Sequence, residues 1–197
     1  MISNYQQKKT QTKAEQIFKG ALSQFLEFGY VGASMDKIAQ ASGVSKQTLY
    51  SHFGDKESLF KALIKQVATQ EFQLVWGKPL QGKPEFVLRQ LAQRIIQEIS
   101  DPQYLAFVHI IVTEAKNQPE LTQIFLENVC KPAMATLTKY LSNCDDLQLD
   151  DPEAIAVIFV YTLIHYVITQ EILGGNIVIP ISPERVIDNL IKIIVKI

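Results

Sequence analysis

The chain holds 197 residues, 47% of them hydrophobic and 20% charged, with a formal net charge of −1. That composition excludes a disordered protein, and 9 glycines with 8 prolines exclude a collagen-like or linker-dominated one. Two cysteines, Cys130 and Cys144, are too few for a disulfide scaffold or a four-cysteine zinc site, and so even a charge balance excludes nucleic-acid binding through bulk charge alone.

Residues 1–13 are polar and lack the apolar run of a signal sequence. From there the chain reads as helix throughout, with apolar residues recurring at three- and four-residue spacing. Residues 14–28 set Ile17, Ala21, Leu22, Phe25 and Phe28 on one face, and Gly29 is expected to end that helix. Ser34 is suited to cap a short helix over 35–42, with Ile38 and Ala39 inward. Gly43 breaks the chain. Ser45 caps a third helix over 46–52, and Asp55 a fourth running from Lys56 to about Trp76.

Two Gly-Lys-Pro breakers then mark a loop over 77–84. Further helices are expected over 85–100, 102–116 and 119–143, the last kinked at Pro132. Asp101-Pro102 and Asp151-Pro152 pair a cap with a proline at the first helical position. The helix from 152 ends at Gly174-Gly175, residues 176–181 are the one strand-like stretch, and Ser182-Pro183 opens a final helix to Ile197. The expected fold is all-α, about nine helices: a three-helix N-terminal domain over 1–60, joined by the long helix to a bundle over 61–197.

Charge divides along the same line. Residues 1–70 carry nine lysines and no arginine against five carboxylates, whereas 71–197 carry ten basic groups against fifteen acidic ones. A basic end on an acidic body suits an anionic partner at that end, although lysines also serve simply to solvate a surface.

The informative segment is SMDKIAQASGVSKQTLYSHFGDKESLF, residues 34–60. Physically it is two short helices about a tight turn, spanning about 33–53. Small Ala39 lets them cross closely, Gly43 frees the turn, Val44 plugs the gap, and Leu49 and Phe53 face the core. Lys46, Gln47, Thr48, Tyr50 and His52 are left outward. Gln47 can pair with adenine N6 and N7, and the Thr48 methyl can meet a thymine methyl. Lys46, Tyr50, His52 and Lys56 suit phosphate oxygens, and the helix start at Ser34 offers free backbone N–H groups.

These residues resemble the tetracycline-repressor-type (TetR) family of transcription regulators. The likeness spans 17–64: FLEFGYVGAS closing the first helix, then Ile38-Ala39, Ala41-x-Gly43-Val44-Ser45, Leu49-Tyr50-x-His52-Phe53 and Lys56-Glu57-x-Leu59. The resemblance implies that Ser34, Lys46, Gln47, Thr48, Tyr50, His52 and Lys56 line a DNA face. It also implies a homodimer with a ligand-binding C-terminal bundle, most simply a ligand-released repressor on a palindromic double-stranded operator; the lack of a signal or membrane segment leads to the expectation of a cytoplasmic protein. The family often carries arginine near this helix; here there is none, which disfavours guanine reading. Residues 107–121, FVHIIVTEAKNQPEL, look like one C-terminal subgroup of the family.

If the bundle holds a cavity, its candidate lining residues are Trp76, Tyr104, Phe107, His109, Ile111, Phe125, Tyr161 and His165, each of which could equally be ordinary core. Such a lining suits a small apolar or aromatic effector with one or two hydrogen-bonding groups. The helix over 154–168 is apolar on every side, and the last helix has a wide apolar stripe including Leu190, Ile193 and Ile194. One body can hide only part of that surface, so the last two helices are the expected dimer contact. The uncharged run 154–170 contains Thr162, His165, Thr169 and Gln170, and reads as a core helix rather than a membrane span. No phosphate loop, nucleophile elbow or metalloprotease motif occurs, so no enzyme, cofactor or metal is expected. A helical carrier without operator binding, or an enzyme built on the bundle, are the competing readings.

Overall fold

A computed structural model describes residues 12–196; the polar residues 1–11 and Ile197 lie outside it. Among the described residues there are eleven α-helices, two π-helical turns and no strand. They form two compact units, dividing between Leu63 and Ile64 within one continuous helix.

The N-terminal unit holds α1 (Lys13–Gly32), α2 (Met35–Ser42), α3 (Lys46–Phe53) and the start of α4 (Lys56–Trp76). Thr12 and Glu15 cap α1 reciprocally, satisfying two of its free N–H groups. Gly29, where the first helix was expected to end, is non-helical at φ 67° and breaks α1, and a short helical stretch continues beyond it to Gly32. Ser34 and Ser45 cap α2 and α3, and Asp55 Oδ1 accepts the Ser58 N–H at 2.7 Å to start α4. The core joins Ile17, Ala21 and Phe25 of α1 to Ile38, Leu49, Leu59 and Phe60, all fully buried. Phe28, expected inward, is 40% exposed and lies under the Lys37 ammonium.

One close approach sets the α1–α2 crossing. A Cβ on Gly20 would lie 2.6 Å from the Ser42 backbone nitrogen, so only glycine fits there. Gly43 follows in the left-handed conformation, φ 65°, and makes the turn into α3.

The C-terminal unit adds α5 (Pro84–Ile99), α6 (Pro102–Glu114), α7 (Pro119–Phe125), α8 (Lys131–Ser142), α9 (Pro152–Val167), α10 (Gly175–Val178) and α11 (Pro183–Val195). Leu88, Leu91 and Ile95 of α5 meet Leu137 of α8, Phe159 and Leu163 of α9, and Ile187 and Ile191 of α11 in one core. Burying a side chain of this size stabilises by about 1.5–3 kcal/mol. Arg89 on α5 donates to Asp188 on α11 at 2.5 Å, tying the rim.

Two expectations are corrected. The stretch 119–143 is not one kinked helix: a π-turn, Leu126–Cys130, separates α7 from α8. Pro132 stands two residues beyond it; with no N–H to offer Asn128, the backbone widens so that Lys131 N bonds to Leu126 O instead. Residues 176–181 are not a strand either. Gly174, at φ 68°, reverses the chain after a second π-turn (Ile168–Ile172), and no neighbouring strand is present to pair. The backbone satisfies itself in α10, with Ile179 N bonded to Gly175 O at 2.7 Å.

Continuous through its π-turn, Pro152–Ile172 is long and apolar enough to cross a membrane, longer than the sequence run suggested. A third of its apolar window is buried, with Phe159, Val160, Leu163 and Val167 in the helical core.

Candidate nucleic-acid interface and cavity

The α3 helix is short and half-buried, and its register decides what it offers. Leu49 is fully buried and Phe53 packs edge-on against Phe18 at 5.2 Å, so Lys46, Gln47, Tyr50 and Ser51 face outward. Tyr50 is 48% exposed. Gln47 makes no side-chain hydrogen bond among the described residues, leaving its amide free. Lys46 pairs with Asp36 of α2 at 2.6 Å, but both side chains are more than half exposed. Such a pair is worth little and exchanges readily for a phosphate.

Other residues of the expected set are engaged. Thr48 Oγ1 shares a 2.8 Å hydrogen bond with the Ser45 hydroxyl. His52 Nδ1 lies 2.8 Å from the Thr48 carbonyl. A carbonyl can only accept, so Nδ1 holds the proton and Nε2 is left to meet solvent or a partner. Ser34 Oγ accepts the Lys37 N–H at 3.3 Å and serves its cap.

Lys56 departs from the expectation. Its Nζ donates to Tyr30 O at 2.8 Å, Ala33 O at 3.1 Å and Val31 O at 3.4 Å, and lies 4.6 Å from the Tyr30 ring centroid. Three carbonyls match the three protons of an ammonium. Helix α1 has no basic residue in its last turn, and Lys56 supplies that missing charge from α4. Lys56 here ties the end of α1 to the start of α4.

The C-terminal unit contains a cavity of about 210 Å³. Of the eight expected lining residues, Trp76, Tyr104, His109, Phe125 and Tyr161 are on its wall. Phe107 and Ile111 are not: one row of α6 over, they are buried in packed interior. His165 is exposed on α9, away from the wall.

Sequence reading missed two acids on that wall, Glu71 and Glu98. Their signal was present: Glu71 continues the row Ile64–Ala68 toward Val75, and Glu98 follows Leu91 and Ile95, so each interrupts an apolar helix face. Burial, reinforced by the charges of Glu98 and Asp101, pushes the Glu71 carboxyl up to about 7. Burial raises the Tyr104 hydroxyl further still, with Glu71 adding to it, and raises the Cys130 thiol. Among the described residues no group of three or more histidines, cysteines and carboxylates could hold a metal.

A family model described as bacterial regulatory proteins, tetR family, matches residues 17–63, and one described as the C-terminal domain of AefR-like transcriptional repressors matches 86–196. Over 61 residues the chain is 39% identical to the HTH-type transcriptional repressor AcnR of Corynebacterium glutamicum, covering 31% of this chain and 32% of that protein. Over 70 residues it is 34% identical to the HTH-type transcriptional regulator RutR of Escherichia coli K12, covering 36% and 31%. The chain thus matches about a third of the length of these curated relatives. Whole-chain likeness is seen with a crystal structure from Mesorhizobium loti MAFF303099 assigned to TetR-family transcriptional regulators: TM-score 0.80, 28% identity, 93% and 95% of the two chains. The flavonoid-responsive regulator FrrA is similar at TM-score 0.73 and 28% identity, with the same coverage.

Replacing Lys56 with Met keeps the stem and strands three carbonyls. The N-terminal unit should lose about 1.5–3 kcal/mol, the range for hydrogen bonds to a charged group. Hydrogen exchange is expected to show α1 and α2 amides losing protection while those of α5 and α9 keep theirs.

Proposed function

Because the chain belongs to the tetR family of bacterial regulatory proteins, we propose that it is a cytoplasmic DNA-binding transcription regulator, a repressor released from a palindromic operator by a small molecule. The observation that carries this reading is α3, which turns Lys46, Gln47 and Tyr50 outward beside a capped helix pair. A helix so presented fits the major groove of double-stranded DNA. Gln47 reads a base edge; Lys46, Tyr50 and His52 Nε2 hold phosphates; Ser34 sets the start of α2 against the backbone; the Thr48 methyl flanks a base. Lys56 fixes this frame from behind.

The effector site is the cavity, through Trp76, Tyr104, His109, Phe125 and Tyr161. Its wall is chiefly apolar and aromatic, suited to an apolar or aromatic body with few polar groups. Helix α4 gives Leu59, Phe60 and Leu63 to one core and Phe72, Val75 and Trp76 to the cavity wall. A ligand that favours one placement of the second set moves the first, and with it the spacing of two α3 helices in a dimer.

The dimer forms through α9 and α11. Ile158 and Tyr161 on α9, and Ile193 on α11, are more than half exposed in the single chain. A two-fold contact covers them. Leu190, by contrast, is 7% exposed and belongs to the core of its own chain.

Selection from random duplexes should return an inverted repeat. On it, Gln47→Ala should cost about 1–3 kcal/mol and relax one base position, while Lys46→Ala weakens all DNA alike. Recovery of no preferred sequence by the wild-type chain counts against the operator reading. Ile158→Glu should give a folded monomer by light scattering, whereas Leu190→Glu should unfold the C-terminal unit. A wild-type chain that is monomeric at micromolar concentration refutes the interface.

A further inference from the structure

The cavity is not neutral in character. Acidic groups reach it from two helices: Glu71 from α4 and Glu98 from α5. The other titratable groups on its wall are Tyr104 and His109 from α6, Cys130 from the π-turn and Tyr161 from α9; α8 brings only Ala133 and Met134. No lysine or arginine is on the wall. Arg94, one turn before Glu98, lies off the wall, and its Nε bonds to the Gln90 carbonyl.

Tyr104 is 9% exposed and lines the cavity. The wall also carries π-faces: Phe72 and Trp76, with ring centroids 6.4 Å apart and near-parallel, together with Tyr104, Phe125 and Tyr161. Carboxylates and aromatic faces together are the chemistry that attracts a weakly hydrated cation.

We propose that this cavity binds an organic cation, a quaternary ammonium or protonated amine on a compact apolar body, with its charge held by Glu71 and Glu98 and by the aromatic faces. The inference rests on taking the cavity as the effector site. A space of about 150 Å³ accepts benzene, so one of about 210 Å³ suits a single substituted ring. Sugar phosphates and other polyanions are repelled by the same two acids. Burial first, and then the charges of Glu98 and Asp101, keep the Glu71 carboxyl protonated up to about pH 7. A bound cation favours the ionised form, so its affinity rises with pH through that range.

Trp76 is the single tryptophan of the chain and lies on the wall, so its fluorescence reads occupancy directly. The probes are phenyltrimethylammonium and its uncharged isostere, tert-butylbenzene. At about pH 8 the cation should bind at least about tenfold more tightly, and the gap should shrink toward about pH 6. His109 shares the wall as a second titratable group. Glu71→Gln separates the two, because it should remove most of the pH dependence. In Glu71→Gln/Glu98→Gln the cation should lose its advantage while tert-butylbenzene still binds, which also shows that the cavity is intact. Should the double variant not fold, Glu98→Gln alone must weaken the cation and spare the isostere. Equal or tighter binding of tert-butylbenzene by the wild-type chain overturns the proposal, as does unchanged cation affinity in a folded variant. Cation binding that leaves operator affinity untouched supports the cavity chemistry and counts against its role as effector site.

Discussion

The Lys56 ammonium is the contact on which the N-terminal unit depends. It stands at the first position of α4 and reaches back to carbonyls of residues 30–33, where α1 ends. A helix end carries partial negative charge on carbonyls that lack intrahelical partners. Usually a basic residue in the last turn answers that charge, and α1 has none. Supplying it from α4 fastens two helices distant in sequence. Phe60 packs against Phe25 and Tyr30, with centroids 4.5 and 5.0 Å away, and makes the tie hydrophobic as well as electrostatic. Gly20 and Ser42 then fix α2 on α1, and Gly43 fixes α3 on α2. The outward face of α3 is the end of that chain of constraints.

In the C-terminal unit the governing tension is between an apolar wall and two carboxylates. A purely apolar cavity of this size is stable when empty. Adding Glu71 and Glu98 makes the empty state unfavourable in one respect, since two acids in a desolvated space cannot both ionise freely. That residual cost is what a ligand of opposite charge relieves, so the wall discriminates by charge as well as by shape. Helix α4 carries Glu71, Phe72 and Trp76 on its second half and the Lys56 tie on its first, and it is unbroken between them.

Much of the fold was legible because its punctuation is local. Ser34, Ser45, Asp101, Asp151 and Ser182 each cap the helix that follows, and Pro84, Pro102, Pro119, Pro152 and Pro183 each stand at a helix start. Such signals act within three residues, and a sequence displays them directly. What remained hidden was either non-local or a matter of degree. Lys56 reads as a solvated helix start until its partners, up to 26 residues away, are seen. Pro132 signals a break without saying that a π-turn will absorb it. The β-branched residues 177–179 suggest a strand, but a strand needs a neighbour, and here the backbone turns on itself. On the cavity wall the aromatic residues were readable by type. Phe107 and Ile111 were not separable from Tyr104 and His109, because a shift of a single residue, about 100° round the helix, decides which way each points. Glu71 and Glu98 interrupt apolar rows, and only the position of the cavity makes that interruption decisive.

The central claim is that cavity and DNA-facing helix communicate through α4. Linkage makes this directly measurable, since two ligands that influence each other must do so by the same factor in both directions. The affinity of phenyltrimethylammonium, read by Trp76 fluorescence in the full chain, should be measured with and without a saturating duplex carrying the selected inverted repeat. The account predicts weaker binding in the presence of the duplex, by the same factor by which the cation weakens the duplex. Identical affinity with and without the duplex, for a cation shown to occupy the cavity, contradicts it.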